Sequence, residues 1–187
     1  MARIPYPDRA VLDPRAQQAL AAAPPLNIFR LLAHSNRAFS AYTRFGAAVL
    51  TKMTLDPKLR ELAILEVARH ERAEYEWVQH VDLALALGVL EGQIAAVAGG
   101  PPYVDGRFSQ TEQAILEFTT AVLRSPEVAD EVFARVSDQL PPHQIVELLM
   151  AIGNYLMLAR VMTVLQIEPD PPMGAAVLEA STGAPRT

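Results

Sequence analysis

Hydrophobic residues recur every three to four positions along most of the chain, which is the spacing that places them on one face of an α-helix. The run from about Asn27 to Met53 shows this pattern, and we expect it to break near Ser35. No segment shows the alternation of apolar and polar residues that is typical of a half-buried strand. The pattern therefore predicts an all-α fold.

Prolines and polar residues mark the predicted helix boundaries. Asp56-Pro57 is a predicted helix start. The aspartate can cap free backbone amides, and proline fits the first turn because a backbone N–H there would have no partner within the helix. The helical run that follows reaches Gly88, which is long for a helix in a globular protein, so we expect an interruption at residues 70–73. Ser109 and Glu112 have the spacing of a capping box.

The last predicted helix, from about His143 to Ile167, is apolar round much of its circumference. A surface helix shows one apolar stripe, so this helix is expected either at the centre of the core or at a contact with another subunit. We expect a homo-oligomer.

Length and charge limit the classes of protein to consider. A chain of 187 residues with 51% hydrophobic and 20% charged residues is expected to form a single domain over 1–187. A net charge of −5 and the lack of a basic tract argue against a nucleic-acid partner. The first residues lack the apolar core of a secretory signal, and no run approaches the roughly 18 uninterrupted apolar residues of a membrane span. We expect a cytoplasmic protein without a membrane partner.

The chain contains no cysteine and only four histidines. The lack of cysteine excludes disulfides, thiolate metal sites and thiol chemistry within this chain. The Glu-x-x-His pairs of di-iron bundles and the His-Glu-x-x-His zinc motif are also missing. We therefore expect no metal site; the alternative is a divalent ion held by Glu76, His80 and one more acid.

Glu76 and His80 lie four residues apart, so they share one face of a helix. A carboxylate beside an imidazole brings the histidine into the range useful for proton transfer. Glu61 can reach the same place if the chain folds back at residues 70–73. The alternative is an exposed Glu76–His80 pair worth a few tenths of a kcal/mol, with Glu61 paired at the surface to Lys58 or Arg60.

Several other side chains are candidates for a binding pocket. Tyr75 and Trp77 fit such a pocket, although core or interface anchoring is the more usual role of these residue types. Arg44, Arg69 and Arg160 stand among apolar residues, where an arginine needs a carboxylate from the protein or from a ligand. Tyr155 is placed to offer its hydroxyl to the same pocket.

Three motifs occur in order along the chain: PxxREL at 57–62, AEYEWVQH at 73–80 and ELxxxIGNYxxxAR at 147–160. They resemble the carboxymuconolactone decarboxylase family, within the alkylhydroperoxidase D-like superfamily. The resemblance covers about residues 36–167 and implies a helical bundle that assembles as a trimer or hexamer. We take 36–167 as the core of the domain and expect a flexible tail after residue 172.

The redox branch of this superfamily carries a glutamate, a Cys-x-x-Cys pair and a histidine that relay protons to the thiols. On this chain, the resemblance places the relay residues at Glu61 and His80, and the two thiol positions at Ala73 and Glu76. The relay residues are kept, but the thiols are lost. An alkylhydroperoxidase or peroxiredoxin-type activity therefore conflicts with the sequence.

The decarboxylase branch works without cysteine or cofactor, and this branch sets the functional expectation. We expect a lyase or isomerase that acts by acid–base chemistry on a small carboxylated lactone or carbonyl substrate. The expected catalytic residues are His80, Glu76 and Glu61, with His80 as general acid/base and Glu76 as its partner. The expected substrate-binding residues are Tyr75, Trp77, Tyr155 and Arg160. The alternative is a non-catalytic oligomeric binding or structural homologue.

Overall fold

The computed structural model describes residues 2–181, and no β-strand occurs in that part of the chain. The prediction of an all-α fold is confirmed. The helices are α1 (Pro14–Ala22), α2 (Asn27–Leu32), α3 (Phe39–Thr51), α4 (Pro57–Glu71), α5 (Glu74–Ala86), α6 (Glu91–Gly99), α7 (Gln110–Arg124), α8 (Asp130–Ser137), α9 (Pro142–Leu165) and α10 (Ala176–Ser181), with 3₁₀ turns at Arg9–Val11 and Ala33–Ala38.

Two predicted helix starts are confirmed in atomic detail. The Asp56 carboxylate accepts a hydrogen bond from the Lys58 amide, and proline occupies the first turn of α4. At α7, the Ser109 hydroxyl accepts from the Glu112 amide at 3.2 Å, while the Glu112 carboxylate accepts from the Ser109 amide at 2.8 Å. These bonds satisfy amides that have no partner within the helix.

Ser125-Pro126 has the composition of a helix start, but α8 begins only at Asp130. The Ser125 hydroxyl accepts a hydrogen bond from the Glu127 amide instead, and this local turn delays the helix.

The predicted interruption at residues 70–73 is confirmed, and it controls the architecture. Arg72 adopts a left-handed conformation (φ 54°, ψ 38°), and its amide caps α4 by donating to the carbonyls of Ala68 and Arg69. The chain then reverses, so α5 packs back against α4. A second kink lies at Asn36 (φ 50°), where a break was expected.

Helix α4 lies at the centre of the molecule, with every residue from 61 to 68 buried. It packs against α5, α7 and α9. The largest apolar cluster is built mainly from α4, α7 and α9 and includes Ile64, Val67, Ile115, Leu148 and Ile152. Each such side chain contributes roughly 1.5–3 kcal/mol by its burial.

Helix α9 is half core and half surface. Leu148, Ile152 and Tyr155 face the core, whereas Val146, Met150 and Met157 lie on the opposite face and are exposed. By length and composition alone, α9 would be long enough to cross a membrane, a test that core helices of soluble proteins also pass. Here the buried face packs on α4.

The segment 168–181, which we call the C-terminal strap, differs from the flexible tail expected after residue 172. The Met173 amide donates to Gln79, and α10 packs against α3. The rest of the expected tail, residues 182–187, lies outside the described residues.

Candidate active site

Glu61 and His80 meet inside the protein because α5 folds back along α4. The His80 Nδ1 lies 2.8 Å from Glu61 Oε2. Glu61 is fully buried, and His80 is 8% exposed. A carboxylate accepts hydrogen bonds but does not donate them, so Nδ1 carries a proton in this pair. The second ring nitrogen, Nε2, is left to exchange protons with a ligand.

Arg60 completes this buried group. Its Nε and Nη2 donate to Glu61 Oε1 at 3.1 and 3.0 Å. The alternative of a surface pair between these residues is therefore wrong, because Arg60 is only 2% exposed. A buried carboxylate needs such a partner, and the guanidinium supplies charge compensation on the side away from the histidine. Sequence reasoning missed Arg60 as a site residue, although its position directly before a continuous buried run was a usable signal.

Glu76 does not pair with His80 in the expected way. Glu76 is 2% exposed, and both of its carboxyl oxygens lack a hydrogen-bond partner among the described residues. The exposed Glu76–His80 pair considered above is ruled out because both side chains are buried. The imidazole Nδ1 is instead taken by Glu61, which faces it from the neighbouring helix.

The environment of Glu76 favours the protonated acid. Burial raises the pKa of this carboxyl well above its ordinary value, and the charges of Glu71 and Glu61 raise it further. An unpaired carboxylate would be strongly destabilised in such surroundings, whereas the neutral acid is not. Glu76 is thus a carboxylic acid able to donate its proton.

Glu76 and His80 line the same cavity, which has a volume of about 70 Å³. Its apolar walls come from α2, α3, α9 and α10, and include Ile28, Phe29, Leu50, Leu158, Met162 and Val177. Such walls exclude most water and strengthen electrostatic interactions inside the cavity. Here we call this space the inner cavity.

Tyr155 and Tyr75 border the inner cavity, as their predicted roles require. The Tyr155 ring meets His80 edge to face, with centroids 4.7 Å apart, and burial raises the pKa of its hydroxyl well above the usual value. The Tyr75 hydroxyl is already engaged, because it donates to Asp170 at 2.5 Å. Tyr75 therefore offers its ring, and not its hydroxyl, to a ligand.

Trp77 and Arg160 do not line the inner cavity. Their expected role in substrate binding gains no support from this geometry and stays a prediction. Trp77 lies one residue after Glu76, about 100° round the helix, and packs against the cluster that contains Leu62 and Leu65. Arg160 points to solvent, and its Nε donates to Glu71 at 3.0 Å. This salt bridge, the alternative noted above, holds the pKa of Glu71 below its usual value.

The C-terminal strap closes one side of the inner cavity. The Asp170 carboxylate accepts from the Asn27 amide at 2.6 Å as well as from Tyr75. The Gln79 amide group donates to the carbonyls of Asp170 and Pro171 at 3.0 and 3.1 Å. These bonds bring Val177 of α10 onto the cavity wall.

The sequence contained little sign of this closure. Gln79 stands within the AEYEWVQH motif and is a polar residue on the inward face of α5, which was a weak signal. Its strap partners lie more than ninety residues away in the chain. Within residues 2–181, no group of three or more His, Cys, Asp or Glu side chains is placed to hold a metal ion. The expectation of no metal stays a prediction.

The same fold occurs in solved structures of low sequence identity. An uncharacterised peroxidase-related protein from Ralstonia eutropha with an alkylhydroperoxidase AhpD core superposes with a TM-score of 0.75 at 18% identity, over 90% of this chain and 92% of that chain. A peroxidase-related protein from Silicibacter gives 0.75 at 16% identity over the same shares. A protein of unknown function from Agrobacterium tumefaciens gives 0.63 at 20% identity, over 71% and 90%. The fold is therefore an AhpD-like helical bundle.

The sequence also matches a family model. Residues 36–121 match the model of the carboxymuconolactone decarboxylase family. The matched part contains Glu61, Glu76 and His80, so the comparison agrees with the resemblance that the motifs indicated. No curated protein matches the chain.

Replacing Glu76 by glutamine is expected to change how stability depends on pH. Because the pKa of Glu76 is raised, the folded protein holds a proton above pH 4.5 that the unfolded chain has lost. As the pH rises from 4.5 to the pKa of Glu76 in the folded protein, the free energy of unfolding therefore falls by up to about 1.4 kcal/mol per pH unit. Urea unfolding from pH 4.5 to 8 should show Glu76→Gln gaining stability relative to wild type as the pH rises.

The matched control is Glu74→Gln, an exposed position on the same helix. It makes the same chemical change at an exposed carboxyl and leaves the buried one in place, so its curve should run parallel to that of the wild type. A parallel curve for Glu76→Gln as well would contradict the raised pKa.

Replacing Tyr75 by phenylalanine is expected to loosen the strap. The change removes a hydrogen bond to a carboxylate, which is worth about 1–3 kcal/mol. Hydrogen–deuterium exchange should become faster in residues 173–181 and stay unchanged in α4. The control is Tyr103→Phe, which removes a hydroxyl bonded to Glu66 on the other side of α4. The control should leave exchange in the strap at the wild-type rate. If Tyr75→Phe also leaves it at that rate, the strap is not held by Tyr75.

Proposed function

We propose that this protein is a cofactor-independent lyase or isomerase that acts by acid–base chemistry on a small carboxylated lactone or carbonyl compound. One observation carries the proposal: a histidine oriented by Glu61 and a carboxyl group with a raised pKa line the same apolar cavity. Two titratable groups in contrasting environments are the usual arrangement for general acid–base catalysis.

Each residue has a distinct role in this proposal. His80 exchanges a proton with substrate carbon through Nε2, while Glu61 accepts from Nδ1 and fixes the orientation of the ring. Arg60 positions Glu61 and does not touch the substrate. Glu76 donates a hydrogen bond or a proton to a substrate oxygen, where negative charge develops. The buried Tyr155 ring supports the imidazole from the side.

In a decarboxylation, the C–C bond between the substrate carbon and its carboxylate breaks. Its electron pair moves toward the adjacent carbonyl as CO₂ leaves, which forms an enolate. The carboxyl of Glu76 stabilises the enolate oxygen. Protonated His80 then delivers a proton to the carbon and becomes neutral. One CO₂ leaves and one proton is taken up, so no electron acceptor is required.

A thiol-based peroxidase cycle is not available to this chain. Such a cycle needs a thiolate nucleophile and a resolving thiol, and the sequence contains no cysteine. The peroxidase-related names of the two structural neighbours describe those proteins. The residues at the two thiol positions here are Ala73 and Glu76, neither of which supports redox chemistry.

The test is proton exchange and product formation with a panel of carboxylated lactones and β-keto acids, followed by NMR in D₂O. With a substrate found, His80→Gln should lower kcat by about 10²–10⁴-fold, because general acid–base groups contribute that much. His143→Gln, at an exposed position on α9, is the matched control and should keep wild-type activity. Wild-type activity in His80→Gln, or no reaction across the panel, favours the non-catalytic binding homologue.

We also propose that the protein forms a homo-oligomer through the exposed face of α9. The residues on this face follow the helical period over five turns, with spacings of three, four or seven positions and one adjacent pair. They are Val146, Leu149, Met150, Gly153, Met157 and Val164. A helix with a second apolar stripe on its solvent side is typical of one that packs against another subunit.

Light scattering coupled to size-exclusion chromatography tests this assembly. Wild type should elute as a trimer or hexamer of the 20.4 kDa chain, and the double variant Met150→Glu/Met157→Glu as a monomer. Val104→Glu places a charge on an exposed loop valine and should leave the mass unchanged. A monomeric wild type, or a double variant with the wild-type mass, would contradict the proposal.

A further inference from the structure

A second and larger cavity, of about 520 Å³, adjoins the inner cavity. It lies among α1, α3, α9 and α10, and we call it the outer cavity. The two cavities have Phe29, Leu50, Tyr155 and Leu158 as common walls. A molecule bound in the outer cavity therefore lies next to Tyr155, whose other side contacts His80. The volume is that of an ordinary small-molecule site.

The rim of the outer cavity is positively charged. Arg15 of α1 and Arg44 of α3 line it, and both are exposed. Arg37 joins Arg15 in the adjoining depression. Among the described residues, none of these three guanidinium groups forms an ion pair. Asp13 is the one carboxylate among the described residues that line these two spaces, and it already accepts from the Ala16 amide as a helix cap.

Such a rim favours an anionic group. A guanidinium presents two parallel donors that match the oxygens of a carboxylate, and paired arginines at a cavity mouth attract and orient such a group. The apolar walls below the rim, with Phe29, Leu50 and Leu158, suit a hydrocarbon body.

The inner end of the outer cavity carries an acceptor without a partner. Asn154 is 6% exposed, lines the cavity, and its Oδ1 has no hydrogen-bond partner among the described residues. The half-buried Tyr42 lies beside it; burial and then the charge of Glu76 raise the pKa of its hydroxyl, whereas a hydrogen bond with Asn154 lowers it. A ligand hydroxyl therefore meets a buried acceptor at this end, and a buried polar atom without a partner is costly unless a ligand satisfies it.

We propose that the outer cavity binds the distal part of an elongated organic carboxylate, with the carboxylate at Arg15 and Arg44, an apolar body along Phe29 and Leu158, and a hydroxyl at Asn154. This inference rests on the proposed function, since the reacting group of the same molecule would enter the inner cavity. It narrows the substrate class from any small carbonyl compound to an amphiphilic acid whose anionic end is not the reacting group.

Calorimetric titration of the full chain tests this site. The probe is 4-(4-hydroxyphenyl)butanoate, and its neutral counterpart is 4-(4-hydroxyphenyl)butan-1-ol. Wild type should bind the acid more tightly than the alcohol. Arg44→Gln should weaken binding of the acid at least about tenfold, the usual effect of losing a charge-assisted hydrogen bond, and leave the alcohol unchanged. Arg15→Gln/Arg44→Gln should bind the two compounds equally.

Arg124→Gln, an exposed position at the end of α7, removes the same charge far from the cavity and should bind like wild type. Ala47→Phe fills the outer cavity and should abolish binding of both compounds, with circular dichroism showing that it is folded. The inference is overturned if wild type does not bind the acid, or if Arg44→Gln binds it as Arg124→Gln does.

His80→Gln separates this inference from the proposed function. The variant keeps the arginine rim, so it should bind the acid with wild-type affinity even where turnover is lost. If the proposed chemistry fails but the acid binds and depends on Arg44, the outer cavity is a binding site without catalysis. Loss of binding in Arg44→Gln alone, with His80→Gln unaffected, supports the site in either case.

Discussion

The carboxylate of Glu61, fully buried at the centre of the molecule, is the constraint on which the site depends. Taking a charge out of water is costly, and the structure compensates for it with Arg60 on one oxygen and His80 on the other. The histidine can reach Glu61 only because the left-handed Arg72 reverses the chain between α4 and α5. The turn, the ion pair and the orientation of the imidazole therefore form one unit.

Glu76 is also a buried carboxyl, but its charge is not compensated by a partner. The cost of ionisation therefore raises its pKa. One cavity thus contains a proton donor and, one turn along the same helix, an imidazole already tied to a carboxylate. This contrast, and not the number of acidic residues, makes the site suited to proton transfer.

The sequence predicted the parts of the structure that are local. Asp56, the reversal at 70–73 and the capping box at Ser109 all follow from residues close together in the chain. The approach of Glu61 to His80 followed from the reversal together with the family resemblance. The direction of Trp77 could not be predicted, because a single step along a helix turns a side chain by about 100° and only packing decides which face is inward. The partner of Gln79 lies at the far end of the chain, where local patterns have no bearing.

The C-terminal strap contributes to both cavities: Val177 lines the inner one, and Ala180 and Ser181 line the outer one. The strap lies at the periphery, whereas the Arg60–Glu61–His80 group is built entirely from α4 and α5. Substitutions in α10 can therefore reshape both cavities without disturbing the Arg60–Glu61–His80 group. In evolutionary terms, the cavity walls and the buried ionic group are carried by separate segments, so one can change while the other is kept.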